Sequence, residues 1–544
     1  MFCSIILCFS VISSTRTCIA TDQEPIYIHA DGSIDPPTSL VSSTDNITYT
    51  LTGDIRSTED GIIVQRNSTV FDGNGHSLFG RDGMAIYTIG MNLTAVNNVT
   101  VKNADIMGFS EDIRLSHSNN ITITGNTFAG DNVTSGRTTG IYLVSSSNNN
   151  ITGNVFINAC LGVFDSFENV VMSNVVNGKP LVYREDSSDQ TIGNAGQVVL
   201  VHCNRIEIEN LTLFYLAVGI ELYETNNTSL FNNTITNGDE GIFLYSSHNN
   251  SIDQNNVGAN LFYGIMILSS DNNSLTNNSL TANRHNAIDL ENSSRTLITG
   301  NNISDNLCGL YLYCSSNNMI YHNSFLYNYY HQATYSFSSN TWDDGYPSGG
   351  NYWSDYTGID QKNGPYQNLT GSDGIGDTSY VVNANQQIEP IDQDNYPLMG
   401  MFSEFNVSLP FDKTDRVAVI SNSTVSNLNF YTWLSSPYNG LQPGQPFIQF
   451  TTTGENGSVG FYRLMIPRTV LNSSSYIVLI DDQPVNATEL HFPNSTNVYL
   501  YFTYTHSTHE VIVTIPEYAT FLFLPLLIIA TLLATMVYKR RHRT

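Results

Sequence analysis

Two carboxylates two residues apart, Asp289 and Glu291, and aromatic side chains recurring at matched positions of neighbouring repeats are the residues whose types and spacing could do chemistry. They sit in a recurring pentapeptide, Gly-Ile-x-Leu-x. In a strand the Ile and Leu face one way and both x positions the other. Stacked repeats would align the x positions in two outward columns, one running Glu221, Phe243, Met266, Asp289, Tyr311 and the other Tyr223, Tyr245, Leu268, Glu291, Tyr313. Sugar rings pack their C–H faces on aromatics while their hydroxyls bond to acids. The carbohydrate-binding candidates are therefore Glu221, Tyr223, Phe243, Tyr245, Asp289, Glu291, Tyr311 and Tyr313. The competing reading is that these large side chains merely pad a sheet surface.

Asp289 and Glu291 are also the candidates for catalysis. On one face of a strand they would lie about 6–7 Å apart, which overlaps the ~6.5–9.5 Å gap of inverting glycosidases. No Arg or Lys column accompanies them, and an exposed acid pair is most often a solvated face. Binding without catalysis is the favoured expectation.

A second acidic group, Asp355, Asp360, Asp373 and Asp377, lies among glycines after the repeats. Its hard oxygens could hold Ca²⁺, which takes 6–8 of them, or the side chains could simply make turns in a cap. Copper would need soft sulfur ligands or imidazoles, yet the 12 His are dispersed. His506 and His509 in a strand would point to opposite faces. Among 7 cysteines, Cys160, Cys203, Cys308 and Cys314 lie beyond the N-terminal segment with no spacing that fixes a pairing.

The elements that would position these residues come from repetition. Gly219-Ile-Glu-Leu, Gly241-Ile-Phe-Leu, Gly264-Ile-Met-Ile, Ala287-Ile-Asp-Leu and Gly309-Leu-Tyr-Leu recur every 22 or 23 residues, and Gly140-Ile-Tyr-Leu belongs to the same series. Each is followed by a Ser/Asn turn and then by an aliphatic, an Asn three later and an apolar residue two beyond, as in Ile298, Asn301 and Ile303. Alternation with period two and Asn, Gly and Ser corners exclude helical repeats. A unit this short cannot bury its apolar face alone, but stacked coils share a core. The expectation is all-β: a right-handed parallel β-helix of about a dozen coils, with Asn126 to Asn323 forming an inward ladder. The long coil from Asn177 to Val198 is expected to carry a protruding loop.

The ends suggest a compartment. Residues 1–20 read as a signal peptide cleaved after Ala20, and the uncharged run from Ala519 to Tyr538 is long enough to span a bilayer. Lys539, Arg540, Arg541 and Arg543 follow it, placing the tail in the cytoplasm and the bulk outside the cell. Between them lie an N-terminal cap (21–60), the β-helix (61–335), a terminal block (336–401), a small Ig-like β-sandwich spacer (402–515) and the anchor (516–538), followed by the basic tail (539–544). Roughly one residue in nine is Asn, well above ordinary usage, so the many Asn-x-Ser/Thr sequons, such as those at Asn67 and Asn302, read equally as chance or as glycosylation. With 48 acidic against 21 basic residues and a net charge of −27, the chain repels phosphate backbones, which excludes general nucleic-acid binding.

The block Asn340-Thr-Trp-Asp-Asp-Gly-Tyr-Pro-Ser-Gly-Gly-Asn-Tyr-Trp-Ser-Asp-Tyr356, followed by Gly371-Ser-Asp-Gly-Ile-Gly-Asp377 and Asp394-Asn-Tyr-Pro-Leu398, closely resembles the NosD-like β-helix family. The opening Asp60-Gly-Ile-Ile-Val-Gln-Arg and Asp72-Gly-Asn-Gly strengthen the resemblance, which covers residues 26–400; Ser379 departs from it where many relatives have Pro. It implies a solenoid of the carbohydrate-binding and sugar-hydrolysing type. The region from Phe402 onward and the anchor resemble archaeal surface proteins instead, so the family's copper delivery is not expected here. The sequence thus points to a cell-surface β-helix that binds glycans or other envelope components. A polysaccharide hydrolase, lyase or epimerase on the same scaffold, or a structural envelope protein, are the alternatives. No cofactor is expected beyond the Ca²⁺ already raised.

Overall fold

The structure, a computed structural model, describes residues 23–80, 87–130, 138–384, 391–431, 441, 445–490 and 495–516. The proposed signal peptide and membrane span fall outside them. Among the described residues there is no helix, and none long and apolar enough to cross a membrane. The chain divides into two compact units, Met1–Ser274 with Ser279–Ser293, and Leu275–Asn278 with Ser294–Thr544.

The first unit is a parallel β-solenoid. Successive coils repeat one longer and two shorter strands, for example Glu111–Ser116, Thr122–Thr124 and Thr127–Ala129. Identical positions stack: Ile113 pairs with Ile141, Val101 with Ile123 and Ile106 with Phe128, all fully buried. At the corners, Asn126 Nδ2 donates to Asn154 Oδ1 at 3.1 Å and Asn154 Nδ2 to Asn174 Oδ1 at 3.0 Å. The same amides meet backbone groups at the corners: Asn126 Oδ1 accepts from the Ala104 N–H and Asn126 Nδ2 donates to Val101 O. Many corner residues adopt positive φ, Asn103, Asn120 and Asn148 among them, a conformation Asn tolerates because its short side chain can bond locally.

The expected loop at 177–198 is instead a change of register. Val175–Val176 turns at Asn177 and Gly178, both at positive φ, into the antiparallel strand Lys179–Glu185. That strand pairs in parallel with Gln197–Val201, which pairs with Val218–Tyr223. The sheet holding Gly140-Ile-Tyr-Leu therefore ends at Ala159–Phe164, and the strands from Val218–Tyr223 to Asn286–Glu291 stack on the sheet that contains Val155–Ile157 and Val175–Val176. One repeat series is split between two faces.

The second unit carries further coils, with Leu297–Thr299 under Met319–Tyr321 and Cys308–Tyr313 under His331–Ser336. Its own ladder runs Asn278, Asn301, Asn323, Asn351, with side-chain amide bonds of 2.9–3.0 Å. The terminal block closes these coils. Trp353 stacks on Phe325 at 4.5 Å, and Trp342 and Trp353 are both buried. Their indole N–H groups donate to Asp392 and Asp394 at 3.0 and 2.9 Å. Gly350 permits this approach, since a Cβ there would run into the Asp394 carboxylate.

The described residues between 401 and 514 form two five-stranded antiparallel sheets around a shared core that includes Val417, Ile448, Phe450, Leu464 and Val513. Asp481 and Asp482, both at positive φ, make the two-residue turn between Ile480 and Gln483, as hairpin geometry requires. Arg463, wholly buried, reaches from this sandwich to the backbone oxygens of Asp373 and Pro347 in the terminal block.

Candidate functional site

The outward columns of the first unit are built as strand alternation dictates: Ile220, Leu222, Ile288 and Leu290 face the core, fully buried. The x positions leave the coil on the other side, but not all reach solvent. Glu221 and Tyr223 are each 4% exposed and Asp289 2%. The register change explains the first two. Strand Ala159–Phe164 ends its sheet, and its edge backbone groups, which have no strand partner on that side, are met by side chains. Gln197 exchanges hydrogen bonds with Leu161 (3.0 and 2.7 Å), and Glu221 Oε1 accepts from the Val163 N–H at 3.4 Å. Tyr223 stacks on Tyr245 at 5.0 Å, with Phe164 edge-on to both and Phe167 against Tyr223. Glu221 and Tyr223 are thus covered rather than solvent-facing.

Phe243, Tyr245 and Glu291 are half-buried. Asp289 Oδ2 accepts from Asn286 Nδ2 at 2.6 Å, while its Oδ1 and Glu221 Oε2 are buried without a hydrogen-bond partner among the described residues. Burial pushes Glu221 up to about 8, with the Glu240 charge adding to it. Burial pushes Asp289 up to about 7 against the Asn286 hydrogen bond, aided by Glu291. Tyr311, half-buried, and Tyr313, 37% exposed, belong to the second unit.

Further residues lie near these columns without belonging to them. Glu240, one position before the glycine, is half-buried and pushed up to about 7 by burial and by the charges of Asp239 and Asp289. A base is present after all, outside the columns. Arg114, on the upstream strand Glu111–Ser116, donates through Nη1 to Tyr87 Oη at 2.7 Å and to both Glu111 oxygens at 3.3 Å. Its guanidinium lies 5.7 Å from the centre of the Tyr142 ring. Tyr142 in turn feels the charges of Glu221, Glu111 and Glu240, so both strand stacks contribute to one electrostatic neighbourhood. The signal was present in sequence, where Glu111-Asp-Ile-Arg-Leu occupies the register of Thr139-Gly-Ile-Tyr-Leu. Only the split stack brings that register beside Glu221.

The four aspartates of the terminal block are occupied in turns. Asp360 accepts from the backbone N–H groups of Asp373 and Gly374, and Asp377 from those of Gln361 and Lys362. Asp355 accepts from Tyr380 Oη. Asp373 is wholly buried and accepts from Tyr346 Oη at 2.7 Å beside Arg463. This is the turn-making arrangement, with the carboxylates directed at separate partners. Cys160, Cys203 and Cys308 are buried and Cys314 is exposed. His506 is held between Ser423 and Ser458, and His509 bonds Asp481, so the two imidazoles serve different partners.

The family model described as periplasmic copper-binding protein (NosD) matches residues 25–191 and 180–358. The chain belongs to the NosD family. No curated protein matches it. Among solved structures it is similar to the Dettilon tailspike protein, with 12% identity over 83% of this chain and 87% of that chain and a TM-score of 0.24. The A-module of the Azotobacter vinelandii mannuronan C-5 epimerase AlgE6 is 12% identical over 54% and 83%, with a TM-score of 0.23. A mutant of the periplasmic alginate epimerase AlgG is 14% identical over 61% and 80%, with a TM-score of 0.24. At these values none carries an argument about activity. The NosD description implies copper, and the side chains permit a test of fit. Among the described residues, the group of three or more ligand atoms close enough to share an ion is Glu185, Asp186 and His202. Two hard carboxylates and one imidazole are not the soft set that copper delivery calls for.

Proposed function

We propose that this NosD-family chain is a cell-surface β-solenoid that binds glycans on the outward face of its coils. The observation that carries the reading is the meeting of two strand stacks, where the Tyr142 ring lies beside the Arg114 guanidinium and within reach of the Glu240 charge, with the half-buried Phe243, Tyr245 and Glu291 on the adjoining stack. Such a face offers both C–H stacking and hydroxyl hydrogen bonds. In this reading the sandwich is an Ig-like spacer, the apolar run 519–538 anchors the chain, residues 1–20 direct export, and sequons on the exported part carry glycans. The partners are envelope or environmental polysaccharides, without copper.

A second reading, polysaccharide hydrolysis, lysis or epimerisation on the same face, is favoured by Glu240 and Asp289, both pushed to about 7, where general acids and bases work well. One experiment addresses both. The purified chain is screened on a glycan array and, in parallel, against soluble polysaccharides for new reducing ends or unsaturated uronides. Retention without product supports binding alone, product supports the second reading, and no retention on any glycan overturns the proposal.

A further inference from the structure

Arg114 is the cation beside the Tyr142 ring, and its geometry selects among glycans. Arg114 uses only Nη1 for its contacts with Tyr87 and Glu111. Its side chain remains 28% exposed, and the Nε and Nη2 edge has no partner among the described residues. A guanidinium over a ring with one donor edge open is the arrangement that receives a planar carboxylate in two parallel hydrogen bonds. We infer that this face takes acidic glycans, with a uronate carboxylate received by Arg114 above Tyr142. The inference rests on the glycan reading and names its ligand class.

The chain's net charge of −27 argues against an anionic ligand at long range, but charges beyond about 8 Å are largely screened at physiological salt, so the local set decides. Glu111 is buried and paired with Arg114, and burial raises its pKa despite that cation. Across the face, Glu221 at about 8, and Glu240 and Asp289 at about 7, hold protons for a large fraction of the time at neutral pH. A protonated carboxyl spares an acidic sugar the repulsion that an ionised one would exert. Glu221 and Asp289 are covered, so they act on the ligand through their charge state and not by contact. Asp239 and Glu291 add charge beside Glu240 and Asp289. The Cys160 thiol, pushed up to about 12, stays neutral, as do Tyr87 and Tyr142, both raised.

The test is titration calorimetry of the full chain with oligouronates of gluco, galacto and manno configuration, each against its own methyl ester, and against neutral xylan and β-glucan oligosaccharides. At least one oligouronate should bind tenfold or more tightly than its ester, and that binding should strengthen as pH falls from 8.5 to 6. Arg114→Gln should erase the acid-over-ester preference and Arg114→Lys should restore part of it, with unchanged thermal melts showing that both variants fold. Esters binding as well as acids, or neutral oligosaccharides binding while no uronate does, would overturn the inference and leave the glycan reading standing. No binding by any of these sugars would overturn both.

Discussion

The carboxylate of Glu221 accepts a hydrogen bond from the backbone N–H of Val163, 58 residues earlier in the chain, at 3.4 Å. A side chain that strand alternation directs away from the core is thereby spent on closing the edge of another sheet. Its second oxygen stays buried and unpartnered, so the folded state favours the protonated form. Glu240 and Asp289 lean the same way.

Stability should therefore fall as pH rises. A carboxyl whose folded value lies above its unfolded value of about 4.3 for Glu or 3.9 for Asp contributes stability that is full below the unfolded value and lost as pH rises through the folded one. For Glu221 that window closes near 8, and for Glu240 and Asp289 near 7. Thermal melts of the full chain should give a higher Tm at pH 5 than at pH 8.5, with a free-energy difference on the order of a few kcal/mol. Glu221→Gln should flatten part of this dependence. A Tm that rises steadily from pH 5 to 8.5 would show that these carboxyls are ionised at little cost.

Leu290, fully buried, pairs with the equally buried Ile267. Leu290→Asp should cost several kcal/mol by placing a charge in the shared core. Met266→Asp, on the half-buried outward column, should cost far less. Urea unfolding of both variants checks the assignment of faces, and equal losses would contradict it.

Asn301 donates to Leu275 O at 2.8 Å and Asn323 Oδ1 at 2.9 Å, and accepts from the Asn278 N–H at 2.9 Å. Asn301→Ala strands at least one buried donor and one buried acceptor, and should lower unfolding free energy by about 1–3 kcal/mol per orphaned group. Hydrogen exchange should quicken at Asn278. An unchanged exchange rate there would mean that water replaces the ladder without penalty.

Arg463 and Asp373 are both wholly buried, 3.7 Å apart at their charged atoms, with the guanidinium also facing the rings of Tyr346 and Tyr499. Arg463→Met leaves the carboxyl of Asp373 in the interior without its cation, at a cost of about 3–5 kcal/mol. Adding Asp373→Asn should recover part of that loss. A double-mutant cycle by denaturant unfolding reads the coupling; strictly additive losses would show that the two side chains act independently.

How far the sequence reaches is clear from these same residues. Period-two alternation and the Asn spacing make the stacked coils legible, because both follow from chemistry within one repeat. The split at Asn177–Gly178 was hidden, since a single antiparallel turn decides which sheet the later coils extend, and no repeat unit records it. For that reason the columns looked free of cations, and Tyr223 and Glu221 looked open. Arg114 lies outside the columns, and Phe164 on the last strand of the other sheet. The bond from Arg463 to Asp373 spans 90 residues, with no periodicity to announce it.

The asparagine ladder also has a direction. At every step the backbone N–H of one Asn donates to the side-chain oxygen of the Asn one coil later, from Asn278 to Asn301, then Asn323, then Asn351. The Asn351 N–H gives the series its final acceptor, Asp394 Oδ2, at 2.7 Å. The row behaves as a one-way relay that ends on a group able to accept without passing anything on. Duplicating an internal coil preserves that polarity, whereas a coil placed after the Asp394 stop would find no waiting acceptor of its own. Lineages of this architecture should therefore vary in length by gaining or losing coils ahead of the terminal block, with the block itself always last.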